Sequence, residues 1–270
     1  MAFKIGFSAG IDMDHEDCKV QPDIQQIPPR KSVVEVFFSG RNMTLAYYND
    51  QFDLHCGDMV YVDGKLEGML GRIVEVNYNF KIKLSEYKRV IALVDTTVHG
   101  QFFMGGSHFI TFDRDAIPAD KVALWFRAPA KDDEEYAVGG DDTSFNLHDL
   151  KSMEINNEIA NRGHEYYIDN RVRYISIDGH RGYAIVQGTI PYEVEFEYYD
   201  GEIRHLTCNC FCSYNCKHEF AALLQLRETL ALIDKNYSSE YQHSGYFAAV
   251  IKGVLFTYAI NGKEYGEFTL

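Results

Sequence analysis

A chain of 270 residues with 46% hydrophobic and 14% aromatic content has material for one large core or two modest ones, which excludes a disordered polymer. A formal net charge of -14 and a pI near 5.1 repel polyanions, so a protein that coats DNA indiscriminately is excluded; nucleic-acid binding requires a local basic face. There is no run of about eighteen apolar residues to cross a membrane, and residues 1–10 lack the charged start and apolar segment of a secretory signal. The expectation is a cytoplasmic protein with no membrane partner.

Residues 1–31 carry the acidic patch Asp12-Met13-Asp14-His15-Glu16-Asp17-Cys18 and then Ile27-Pro28-Pro29, a composition that suits an extended arm. From 32 to 112 the text becomes short alternating segments at 33–38, 44–48, 59–62, 71–77, 89–95 and 108–112, bounded by Gly, Asn and Asp turns. They predict a small β-barrel-like domain, either a closed barrel or a curled sheet, with a hairpin around Asp63-Gly64. Lys81, Lys83, Lys88 and Arg89, with Arg72 nearby, are interleaved with Tyr78, Phe80 and Tyr87. Such a cluster either grips single-stranded nucleic acid through phosphates and stacked bases or is a solvated loop.

Between 113 and 150 the strand pattern fails. Trp125-Phe126 anchors a short helical or irregular stretch, and Lys131-Asp132-Asp133-Glu134-Glu135 with Gly139-Gly140-Asp141-Asp142 reads as an acidic connector. Residues 151–236 form a second domain: a helix over 153–170, then strands at 172–176, 183–186 and 193–199. A turn at Asp200-Gly201 leads to Leu206-Thr207-Cys208. Phe220, Leu223, Leu224, Leu226, Leu230 and Ile233 then recur at helical spacing and predict a long helix to about Asn236. Residues 237–270 read as strands closed by a hairpin at Asn261-Gly262.

The densest chemistry lies in Cys208-Asn209-Cys210-Phe211-Cys212-Ser213-Tyr214-Asn215-Cys216-Lys217-His218, which holds four of the six cysteines. In an extended strand, side chains at i and i+2 share a face, so Cys208 and Cys210 present two sulfurs together. Five residues are enough for a turn that returns Cys216 and His218, at the mouth of a helix whose dipole favours thiolate. This predicts one structural Zn²⁺ held by Cys208, Cys210, Cys216 and His218, a closed shell with no position left for water. A shifted set with Cys212 replacing Cys208 leaves a very short return loop. Disulfides need an oxidising compartment, and the C-x-x-C of a redox pair is absent.

The pattern C-x-C followed by C-x-H at the start of a helix resembles the SWIM zinc finger. The resemblance covers about a third of the chain and extends to Gly163-x-x-Tyr166-Tyr167, to Tyr192-Glu193-Val194-Glu195-Phe196 ahead of the cysteines, and to Cys216-Lys217-His218-Glu219-Phe220-Ala221-Ala222. It implies a C-terminal ββα-type zinc-finger domain with a long helix, which together with the N-terminal curled β-sheet or small barrel read from the strand spacing makes the expected fold α+β. Proteins with SWIM fingers, among them Swi/Snf-class ATPases and MuDR-type transposases, keep catalysis in other domains. The implied role is a non-catalytic zinc-binding module for a protein or DNA partner, with Lys217 or Arg204 offsetting the negative site. The finger region has more Asp and Glu than Lys and Arg, which favours a protein.

The common enzyme signatures, a phosphate-cradling Gly-Lys-Ser/Thr loop, G-x-S-x-G and H-E-x-x-H, are missing. The rival expectation is an enzyme in the N-terminal half that uses His99 and His108 with Asp95 or Asp113 for acid–base work or metal binding.

Overall fold

The structure is a computed structural model and describes residues 4–5, 29–118, 121–129, 144–210, 212, 214–261 and 268–269. The acidic patch at 12–18, the acidic runs at 131–142 and Gly262 lie outside the described residues. The described residues form two units. One is built from residues 29–96, the other from Thr97–Ile260 with the short strands β1 (Lys4–Ile5) and, near the end of the chain, Phe268–Thr269.

The smaller unit is an antiparallel sheet of β2 (Ser32–Phe38), β3 (Met43–Asn49), β4 (Met59–Val62), β5 (Gly71–Asn77) and β6 (Val90–Val94), in the order β3-β2-β5-β4-β6. Alternation makes it fold: Val34, Val36 and Phe38 on β2 point inward and pack with Tyr47, Leu54, Val60, Val62 and Ile73, while Glu35 faces solvent. Gly71 is needed because a Cβ there would run into Val36 and Phe38. The sheet is curled rather than a closed barrel. Its outer strands meet at one bridge, Tyr48 with Arg89, where the Tyr48 N–H donates to Lys88 O at 2.9 Å.

The hairpin expected at Asp63-Gly64 is a wider loop, since β4 and β5 pair only at Met59–Arg72 and Val60–Gly71. Asp63 is drawn the other way: its Oδ1 accepts from Arg89 N–H at 2.6 Å and its own N–H donates to Arg89 O at 3.0 Å.

In the larger unit, β7 (Gly100–Gln101) joins the two terminal strands in a three-stranded sheet. The main sheet has β8 (Phe103–Gly105), β9 (His108–Thr111), β10 (Ser144–Asn146), β11 (Val172–Asp178), β12 (Arg181–Gln187), β13 (Pro191–Tyr199), β14 (Glu202–Cys208) and β15 (Tyr246–Ile251). The order is β10-β14-β13-β12-β11-β15-β9-β8, antiparallel throughout. The strand at His108, expected in the N-terminal sheet, pairs instead with β15, Ile110 opposite Ala249.

Helices α1 (Asn157–Ile168) and α2 (Lys217–Asn236) complete the core, where Ala221, Ala222, Leu223, Leu224 and Leu226 pack with Val172, Ile175, Val186, Val194 and Phe196. The Asn156 side chain caps α1 by accepting the Ile159 N–H at 2.8 Å. Asp200-Gly201 has the paired positive φ of a type I′ turn, 46° and 91°. After the short α3 (Ser238–Ser244), β15 runs into α4 (Lys252–Asn261), so a helix stands where the strand leading to the expected hairpin was placed. Leu255 and Tyr258, three apart, are both buried, Tyr258 edge-on to Trp125 at 4.7 Å between ring centroids. Helical spacing inside an unbroken apolar run carries that signal, and it is ambiguous with a strand.

Candidate metal centre

The centre is assembled where a strand ends and a helix begins. Cys208 is the last residue of β14, opposite Val194 on β13. Asn209 continues the pairing in a different way: its N–H donates to Glu193 O at 3.1 Å, and its Oδ1 accepts the Glu193 N–H at 2.9 Å. Strand geometry stops there, and the chain turns through Cys210 towards α2.

Cys216 is the N-cap of α2. Its sulfur accepts the Glu219 N–H at 3.5 Å, and the Glu219 carboxylate accepts the Cys216 N–H at 2.6 Å, a closed capping box that fixes the helix start. His218 lies two residues further on. The Asn215 side chain donates to Met153 O and anchors the return loop from behind.

One donor atom from each of Cys208, Cys210, Cys216 and His218 lies within 4.8 Å of the others. The His218 Nδ1 is 3.8 Å from Cys208 Sγ and 3.7 Å from Cys216 Sγ. A tetrahedral ion with bonds of about 2.3 Å to sulfur and about 2.0–2.1 Å to nitrogen requires S···N edges of roughly 3.6 Å. The donor set and its spacing therefore fit a metal ion of zinc's size. Cys212 is exposed and outside this group.

The three sulfurs are close enough to set one another's charge. Hydrogen bonds from Cys208 and Cys216 push the Cys210 thiol far down, while those bonds to Cys210 hold Cys208 up, and hydrogen bonding to Cys208 and then Cys210 holds Cys216 up. Three sulfurs this close cannot all carry charge unless a cation sits between them.

His218, 4% exposed, lies among aromatic rings: Tyr192 stacks on it at 4.2 Å and 18°, and Tyr166, tilted by 59°, lies 5.6 Å away. Its Nε2 is buried with no hydrogen-bond partner among the described residues and faces Gly188, where an added Cβ would sit 3.3 Å away. Gly163 lets α1 cross the head of α2, since a Cβ there would meet Lys217 O and Phe220 at 2.9 Å. Lys217 reaches over the Tyr166 ring at 4.9 Å, with Arg171 on the same ring at 4.6 Å. Arg204 instead pairs with Glu202 at 2.7 Å. Spacing alone did not single out Gly188, Asn209 or Asn215. Asn flanking cysteines and Gly ahead of an aromatic were the available signals.

The other candidates are placed differently. Arg89 is bound to Asp50 at 2.5 Å and stacks on Tyr48, Lys83 pairs with Glu86 at 3.1 Å, and Arg72 is half-buried on β5; Lys81 and Lys88 are exposed. His99 and Asp113 are exposed, and Asp95 is half-buried. His108 is fully buried, its Nε2 donating to Val172 O at 2.8 Å and its Nδ1 2.9 Å from Ser107 Oγ. Among the described residues the Cys/His group is the one set of three or more such side chains spaced to hold a metal, so His99, His108, Asp95 and Asp113 form none. No helix among them is long and apolar enough to cross a membrane.

The protein thus falls in the class of α+β chains with a Cys₃His group able to hold a metal ion. Compared with known proteins, it matches no family model, no curated protein and no solved structure.

Proposed function

We propose that Cys208, Cys210, Cys216 and His218 hold one structural Zn²⁺, that 151–236 is a SWIM-type zinc-finger domain, and that the chain is a non-catalytic module for a protein or DNA partner, a protein being the favoured one. The observation carrying this is the set of two S···N edges at 3.7 and 3.8 Å in a group that spans a strand end and a helix N-cap. Three thiolates and an imidazole are soft donors that suit Zn²⁺, and four protein donors fill its tetrahedron, leaving no site for a reacting water.

A protein partner is favoured because residues 151–236 carry thirteen Asp and Glu against nine Lys and Arg, a surface that repels phosphate. A second reading, contact with DNA or another single strand, is supported by exposed Lys81 and Lys88 with Tyr78 37% exposed in the same stretch. The test is metal analysis of purified protein followed by affinity capture from extract with and without nuclease. One zinc per chain and a partner retained after nuclease are expected. A partner lost on nuclease treatment selects the second reading, and metal-free protein with four reactive clustered thiols refutes the zinc site.

A further inference from the structure

We infer that the outer edge of β3, which up to Tyr48 pairs with no strand other than β2 among the described residues, is a self-association site, pairing antiparallel with β3 of a second copy of this chain. The inference does not rest on the metal site. In the eight-stranded sheet both edge strands, β8 and β10, have only three residues, one of the ways folds blunt an edge. β3 has seven, and its first four, Met43 to Ala46, are all exposed.

The hydrogen-bonding sense of the strand is fixed by one contact. Tyr48 N–H points away from β2 to reach Lys88 O, so by the two-residue repeat the N–H and C=O of Thr44 and Ala46 also point away from β2. Met43, Leu45 and Tyr47 bond to β2 and pair with Phe38, Val36 and Val34, so their side chains lie on the core side of the sheet. Met43 and Leu45 stand at the lip of that core, 37% and 39% exposed.

The occupant is chosen by charge and symmetry. From Asn42 to Tyr47 there is neither a charged residue nor a proline, the usual guards of an edge. Residues 29–96 hold nine Lys and Arg and nine Asp and Glu, so the strong negative charge of the chain lies elsewhere and does not oppose self-pairing here. A two-fold axis at Leu45 sets Thr44 of one copy against Ala46 of the other as hydrogen-bonded pairs, four main-chain bonds in all. Leu45 then meets Leu45, and Met43 meets Tyr47, apolar on apolar. The arrangement is isologous and stops by itself, because Tyr48 already gives its N–H to Lys88. A strand pair this short buries less than the ~800 Å² per partner of a standard interface, so the dimer is weak.

Sedimentation equilibrium of the full chain over a wide range of concentrations tests this. A monomer–dimer equilibrium is expected. Leu45→Lys, which opposes two like charges at the axis, should weaken it on the order of tenfold. Thr44→Pro removes an outward N–H without touching the bonds to β2 and should do the same. Circular dichroism shows whether each variant is folded; if Thr44→Pro is not, Leu45→Lys alone decides. A wild-type chain that stays monomeric throughout, or a dimer unchanged by the folded variants, overturns the inference.

Discussion

Cys216 has two jobs that one substitution can separate. Its sulfur caps α2 and, in the proposed site, is also a ligand, while Glu219 returns the bond to its N–H. Cys216→Ser keeps a strong cap and gives up the soft donor, whereas Cys216→Ala gives up both. A ligand held at about a thousand times its dissociation constant stabilises the fold by about 4 kcal/mol, and an N-cap contributes about 1 kcal/mol. The wild-type protein should therefore lose about 4 kcal/mol on chelation at such zinc levels. Cys216→Ser should start near the metal-free level and barely respond to chelator, with Cys216→Ala about 1 kcal/mol lower still. The single tryptophan, Trp125, is buried in the larger unit, so its fluorescence during urea titration reports that unit by itself. If Cys216→Ser keeps one zinc per chain and a chelator-sensitive transition, the ligand assignment is wrong.

Gly188→Ala would press a methyl on Tyr192 at 2.7 Å beside His218 Nε2, and should weaken zinc binding at the proposed site roughly tenfold or more in competition with a chromophoric chelator. An unchanged affinity would mean that the stacked ring does not orient the imidazole. Gly163→Ala should destabilise by about 1–3 kcal/mol despite the better helix propensity of alanine, because the clash at 2.9 Å is with the backbone of α2; urea midpoints check it. Burial holds the His108 ring at about pKa 4 against 6.5, with the bond to Val172 opposing. The folded state therefore binds the proton more weakly than the unfolded one, and stability present above pH 6.5 is lost as pH falls towards 4. Between pH 7.5 and 5 this costs about 2 kcal/mol. His108→Gln should remove that part of the acid sensitivity, and a variant with the same pH slope as wild type would contradict the burial argument.

What could be read from the sequence was local. β4 and β5 stand at the residues their alternation marks, and the Cys/His cluster was legible because its donors fall within eleven consecutive residues. What failed needed distant neighbours. β9 finds β15 more than 130 residues further on, and Arg89 finds Asp50, which offsets one of the five charges of the basic cluster. Cys212 would share a face with Cys208 and Cys210 in a strand that ran on past Cys208. It stops because the Asn209 side chain takes over the pairing with Glu193, after which alternation no longer predicts which way a residue points.

The shared apolar core also limits what an ion in the proposed site would do. An isolated finger of a few dozen residues buries too little to fold alone, and its ion supplies the folding energy. Here α2 enters a core it shares with β11, β12 and β13, and ten of its residues are buried, from His218 to Ile233. If the proposed ion is removed, Cys216 and His218 should become exposed while the sheet and most of α2 persist. The expected signature is retained far-ultraviolet circular dichroism with faster amide exchange confined to 208–219. Loss of protection throughout β11–β13 would show instead that the ion, not the apolar core, holds this unit together.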